Sequence, residues 1–231
     1  MKQIFETLAH KWPEYLIEIL VITIGILGAF ALNNWNEGRQ SRMKEEKYLR
    51  AIESDLRRDL NDLIYNAKFT GEMQDANSRI LSFIKEEKST YDSLSYDLAN
   101  ILTPLHFLSN TSGYEAILNA GIETIQDDSL RKAIVFHYDW YEKHIHFFEK
   151  NDDHVIQYQI LWPIYLKHVK VHRLWENAEP IDIEDMKENP EFYNLLTTSH
   201  FYHEYMVSQY ENAVDRASSL RNRINNYLNG L

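Results

Sequence analysis

The stretch YLIEILVITIGILGAFALNNW, Tyr15 to Trp35, decides how this chain is read. Its 21 residues, wound as an α-helix, reach about 31 Å, which matches a hydrocarbon core of roughly 30 Å. Leu16, Ile17, Ile19, Leu20, Val21, Ile22, Ile24, Ile26, Leu27, Phe30 and Leu32 cover every face of that helix, whereas the core helix of a soluble domain keeps a polar stripe. Glu18 is the charge inside it, about one turn from the edge, where a carboxylate can reach headgroup water. Tyr15 and Trp35 at its ends, with Trp12 just outside, are the amphipathic rings expected to anchor at the membrane interface. A cleaved signal peptide would place its small residues after the apolar run. Here Gly28, Ala29 and Ala31 are embedded within it, so the expectation is a retained single-pass transmembrane helix. Gly25, Gly28 and Ala29 share nearly one face, a surface on which a second helix can approach closely and pack.

Working outward, the chain of 231 residues leaves enough sequence beyond this helix for one domain with its own core. Charge is unevenly placed. Residues 1–60 hold nine Lys/Arg against nine Asp/Glu, while residues 61–231 hold 15 against 26 and carry the whole net charge of −11. An acidic body argues against nucleic acid as a partner, because phosphates need a basic face. It also disfavours flat docking on anionic lipid. Cysteine is absent, which removes disulfides, thiolate zinc sites and a cysteine nucleophile. Lys2 and Lys11 precede the apolar run, and Arg39, Arg42, Lys44 and Lys47 follow it. The plain count therefore leans toward a cytoplasmic C-terminal domain.

Glycine and proline are scarce, seven and five, and apolar residues recur at helical spacing, so the fold class is expected to be all-α. The expected organisation is an N-terminal tail (1–14), the transmembrane helix (15–35), a long membrane-proximal helix (36–89) and the remainder of a helical bundle (90–231). Leu49, Ile52, Leu56, Leu60, Leu63 and Ala67 form the apolar stripe of that long helix, with a bend expected near Gly38 or Gly71. A turn from Ser89 leads to a short helix stopping near Thr103, before Pro104. Ser112 and Glu115 fit a capping box that opens a helix over about 113–120, stopped by Gly121. Asp127-Asp128-Ser129 begins another. Leu130, Ile134, Tyr141, Ile145, Phe148 and Val155 continue it to Pro163, where it should kink or end. Residues 176–190 read as a polar acidic loop with a short helical turn at most, and Asn189-Pro190 opens the final helix. The whole suggests an antiparallel bundle. Its core should be rich in tyrosine, 15 of 30 aromatic residues, each with a hydroxyl to satisfy.

Two blocks carry a family resemblance. EILVITIGILGAFALNNWNE, Glu18 to Glu37, resembles the signature of a bacterial family of single-pass membrane proteins, domain of unknown function 6090. SGYEAILNAGIETIQDDSLRK, Ser112 to Lys132, is similar to that family's internal motif. The resemblance implies an inner-membrane anchor followed by a helical domain, with the N-terminus inside and the C-terminal domain periplasmic. This is the opposite of what the Lys/Arg count suggests. It implies no activity.

Chemistry is thinly marked. His137, His144, His146 and His154 lie on one expected helix, but few share a face. His168 and His172 have the i, i+4 spacing of a metal-binding pair, and His200 with His203 is a second weak candidate. A His-based metalloenzyme assembled from His144, His168 and His203 is the third-ranked reading. Asp127/Asp128, Asp152/Asp153 and Glu184/Asp185 read as caps and turns. The usual signatures of acyl transfer, nucleotide hydrolysis and dinucleotide binding are missing, so neither a catalytic residue nor a cofactor is assigned. The leading expectation is a membrane-tethered adaptor or scaffold that contacts lipid, a second copy of itself and an unidentified protein partner. The second is a sensor with a small-ligand pocket formed around Tyr114, His137, Trp140 and Tyr141.

Overall fold

A computed structural model describes residues 2–86, 90–103 and 105–230; the side chains of residues 1–11, 13, 14 and 151–154 lie outside this description. The turn start at Ser89, the stop at Pro104, the tail charges Lys2 and Lys11, and the side chains of Asp152, Asp153 and His154 therefore fall outside the described residues.

The described residues are almost all helical. α1 runs Lys2–Phe83 and continues without interruption through Gly38 and Gly71, the two glycines where a bend was expected. Neither glycine has an atom within 4 Å of the position a Cβ would take. The chain divides into two compact units, residues 1–47 and 48–231. The first is the leading part of α1. No residue in its most apolar window is buried, and Leu16 through Leu32 present apolar side chains 49–68 % exposed.

The second unit is an all-α bundle with three long helical columns. One is α1 from Tyr48 onward. The next joins α4 (Asp128–Phe136), a π-helical turn (His137–Glu142), α5 (Lys143–Phe148), a second π segment (Glu149–Leu161) and α6 (Trp162–His168). The third is α8, Pro190–Asn229. Arg221 donates to Glu53 near one end and His203 meets Asn77 near the other, so α8 is antiparallel to α1. Arg223 on Ser129 and Lys167 on Glu191 show the same sense between α8 and the broken column. α2 (Leu94–Asn100) and α3 (Ser112–Ala120) fill the remaining sides.

Local chemistry explains most of the boundaries. Asp127 caps α4 by accepting from the Leu130 N–H at 2.6 Å, and Asn189 caps α8 by accepting from Glu191. Gly121 ends α3 at φ +98°, a conformation that favours glycine. The capping box is corrected. Thr111 is the N-cap and its hydroxyl donates to Glu115, while the Ser112 hydroxyl donates to Asp55 on α1. Pro163 does not end its helix; it sits in the first turn of α6, where its missing N–H has no α-helical bond to make. The wider π winding also rotates the buried face. Glu149 and Gln157 become buried, and Val155, expected in the core, is exposed.

The loop expected over 176–190 is corrected at its start, where residues 177–180 form a strand; the short helical turn expected within it is present at residues 183–188. β1 (Val169–Arg173) and β2 (Asn177–Pro180) form an antiparallel hairpin, pairing Val169 with Pro180 and Val171 with Ala178. Val169 and Ala178 turn inward, and α7 (Ile183–Glu188) follows, capped by Asp182. The small sheet leaves the class all-α.

Two apolar cores result. Leu49, Ile52, Leu56, Leu60 and Leu63 pack with Ile134, Tyr138, Tyr210 and Leu220. Ile80 and Phe83 pack with Leu98, Tyr165, Phe192 and Leu196. Buried Asn66, Thr70, Asn77, Gln157, Ser199 and His203 form a polar layer along the bundle. The tyrosine expectation holds at Tyr165, whose hydroxyl donates to the Leu98 carbonyl at 2.7 Å, and at Tyr210, whose single O–H lies within reach of the Glu149 carboxylate at 2.9 Å and the Leu105 carbonyl at 3.1 Å.

Candidate functional site

Residues 107–111 have no regular structure and lead into the first turn of α3, and backbone N–H groups in such stretches must still be paired. Carboxylates do this. Glu149 accepts from the Phe107 N–H at 2.7 Å, Asp62 from Leu108 at 2.9 Å, Asp59 from Asn110 at 2.8 Å and Asp55 from Gly113 at 2.6 Å. Asp55, Asp59 and Asp62 recur at steps of four and three, which places them on one face of α1. Arg58 bridges the ladder by donating to Asn110 and to Asp55. Gly113 comes so close to α1 that a Cβ would lie 2.7 Å from the Ile52 nitrogen.

Behind this ladder is a buried polar centre built by the first π turn. Its winding turns His137, Tyr138, Tyr141 and Glu142 inward together, and π turns of this kind are frequent at functional sites. His137 Nε2 lies 3.3 Å from Glu142 Oε1. Tyr138 stacks on Tyr114 with ring centroids 4.4 Å apart, and Tyr114 donates to Asp139 at 2.9 Å. The second oxygen of Asp59 and the hydroxyl of Tyr138 are buried without a hydrogen-bond partner. Burial pushes the Asp59 carboxyl up to about 6; the bonds from Asn110 oppose this and the charge of Glu142 adds to it.

That shift sets a pH dependence. Asp59 holds its proton more tightly folded than unfolded, where a carboxyl titrates near ~4. Its stabilising contribution is therefore full below that value and is lost as pH rises through about 6. D59N keeps an acceptor for Asn110 and cannot ionise. It should stabilise the bundle at pH 8 by about 1–3 kcal/mol and change little at pH 4. Denaturant unfolding at both values checks this; an equal effect at pH 4 and pH 8 would contradict the assignment. His203 works in the opposite direction. Burial, helped by the charge of His200, lowers it to about 3, so its contribution falls as pH drops below the unfolded value near ~6.5.

On its other side the π turn borders an open groove of about 170 Å³ between α4 and α8. His137 and Tyr141 line it, with Phe136 and Leu220 as apolar wall and Arg216 and Arg223 as cationic rim. The Arg216 guanidinium lies 4.8 Å from the Tyr141 ring centroid. Of the four residues expected to form a ligand pocket, His137 and Tyr141 line the groove. Tyr114 packs into the core, and Trp140 is exposed, stacked between Phe136 and His144.

The histidine candidates separate. His168 ends α6 and His172 lies on β1, so their spacing is not a helical one; His168 meets Asp185 at 3.1 Å and His172 meets Glu179 at 3.0 Å. His200 and His203 contact Ser78 and Asn77 on α1. Among the described residues no three His, Asp or Glu side chains converge as a metal ion requires. Gly25, Gly28 and Ala29 lie in the first unit, with open space around both glycines. Trp12, Tyr15 and Trp35 are exposed there.

Fold and site together define an all-α protein with a long apolar helix and a bundle organised around a buried carboxylate–histidine–tyrosine centre. The chain belongs to a family of unknown function, DUF6090, whose profile matches residues 18–204. Comparison with curated proteins and with solved structures finds no match.

Proposed function

We propose that this chain is a single-pass protein of the bacterial inner membrane whose helical domain is an adaptor or scaffold for a protein partner, with a binding role and no catalysis of its own. The observation that supports it is the unburied apolar surface of α1 between Leu16 and Leu32. Eleven large apolar side chains there, at about 1.5–3 kcal/mol each, leave on the order of 20 kcal/mol of burial that only lipid or another helix can supply. The open face at Gly25, Gly28 and Ala29 favours self-association within the bilayer. The helical domain would lie on the periplasmic side, a reading that the family resemblance supports and the Lys/Arg count opposes.

Fractionation, crosslinking in native membranes and a C-terminal reporter fusion test the three parts. The full chain should resist carbonate extraction and give a crosslinked dimer that Gly25→Leu reduces several-fold. The reporter should be active in the periplasm. Release by carbonate would remove the anchor, a purely monomeric pattern for both chains the self-association, and a cytoplasmic reporter signal the orientation.

A second reading, a small-ligand sensor that acts through a partner, is favoured by the groove between α4 and α8. The polar centre that borders the groove through His137 gives a ligand a route to the carboxylate ladder.

A further inference from the structure

We infer that the groove between α4 and α8 is a binding site for a small organic carboxylate, an anion with an apolar body about the size of one aromatic ring. This rests on the sensor reading and names its ligand class. Size comes first. A volume of about 170 Å³ is close to that of cavities of ~150 Å³ that accept benzene. The wall chemistry divides in two. Phe136, Leu220 and the Tyr141 ring offer an apolar face, and Arg216, Arg223 and Ser219 bring donors to the rim.

Charge makes the case for an anion. The chain carries a net −11, and most of the cations described in the bundle are engaged by carboxylates, as Arg58, Arg79, Arg131 and Arg221 are. Arg216 and Arg223 form no ion pair among the described residues. Arg216 lies over the Tyr141 ring and Arg223 donates to the Ser129 hydroxyl at 3.0 Å. Asp215 acts on Tyr141 and Glu142 lies 3.3 Å from His137 Nε2, but the groove's own lining carries the two guanidiniums and no carboxylate. A guanidinium presents parallel donors that match a carboxylate in a bidentate pair. The Tyr141 ring orients that of Arg216 beforehand, which reduces the ordering cost of binding. An apolar molecule alone would leave both cations unused, and an inorganic anion would leave the Phe136–Leu220 wall wet.

The test uses the full chain in detergent or nanodiscs, with benzoate as probe and ligand-observed NMR and calorimetry as readouts. Benzoate should bind in the millimolar range or tighter. Benzamide, of the same shape without charge, and inorganic phosphate, charged without a ring, should each bind about tenfold more weakly or worse. R216Q and R223Q alter exposed residues and should fold, as circular dichroism can verify; each should weaken benzoate about fivefold or more. R216K should recover only part of that loss, because an ammonium lacks the planar fork. Equal binding of benzamide and benzoate, equal binding of phosphate and benzoate, or no effect of either glutamine variant would overturn the assignment. Arginine-dependent benzoate binding that leaves the native crosslinking pattern unchanged would uphold the groove and count against the sensor reading alone.

Discussion

Gly113→Ala is expected to destabilise the bundle by about 3 kcal/mol or more, the larger of the two strongest single-residue effects we expect. A Cβ at this position would lie 2.7 Å from the Ile52 nitrogen and 2.8 Å from the Ala51 carbonyl carbon. Both are main-chain atoms of α1, so no side chain can swing aside. Relief requires α3 to move away from α1. That movement stretches the 2.6 Å bond from the Gly113 N–H to Asp55 and the bonds from Ser112 to the same carboxylate. Overpacking costs about 1–3 kcal/mol, and weakening a buried hydrogen bond to a charged acceptor adds about 1.5–3. In a domain of this size each kcal/mol lowers Tm by about 2–4 °C, so a fall of roughly 6–12 °C should appear in thermal unfolding. Gly71→Ala is the control. Gly71 lies inside α1 with nothing near its Cβ position, and alanine there should stabilise by about 0.5–1 kcal/mol. Equal melting of the two variants would refute the close approach of α3 to α1.

Asp97→Ala should cost about 2–4 kcal/mol. The Asp97 side chain is fully buried and accepts four bonds, two from Arg79 at 2.8 and 2.7 Å, one from the Tyr91 hydroxyl at 2.9 Å and one from Ser93 at 3.0 Å. Breaking a buried ion pair typically costs about 3–5 kcal/mol. Here Arg79 is 47 % exposed and can return to water, which lowers the figure. Removing Asp97 still strips a partner from Tyr91, whose hydroxyl is held above its usual range first by burial and then by its bond to Asp97. A double-mutant cycle with Arg79→Ala, read by denaturant unfolding, should show coupling of about 1 kcal/mol or more between the two residues. Additive effects would mean that the bidentate pair contributes nothing beyond its separate parts.

Sequence patterns mislead where a partner or a short local run competes with them. Ser112 and Glu115 have capping-box spacing, but the Ser112 hydroxyl meets a carboxylate 57 residues away in the chain, and a distant competitor is invisible to a local rule. His168 and His172 have helical metal-pair spacing, but α6 ends at His168 and a strand follows. The Val169/Val171 alternation is a signal for that strand, although five residues are too short a run to outweigh an all-helical neighbourhood. Trp175 at φ +66° closes the hairpin turn without the glycine or asparagine that would have marked it. The π segments are hidden for another reason. Their register shift comes from packing, and the near-heptad pattern that ran through Phe148 to Val155 fails where Glu149 takes the inward position.

What the sequence determined by itself is local. The apolar run from Tyr15 to Trp35, the helix starts at Asp127 and Asn189 and the stop at Gly121 are each set by a residue and its near neighbours, because capping and apolar period act within a few turns. Only the tertiary structure decided that the charges of Glu142 and His137 act on Asp59, that four carboxylates hold the backbone of 107–113, and that Arg216 and Arg223 flank the groove beside Tyr141. The partners in each case lie roughly 40 to 80 residues apart in the chain. Burial and charge depend on distance in space, which no spacing along the sequence records.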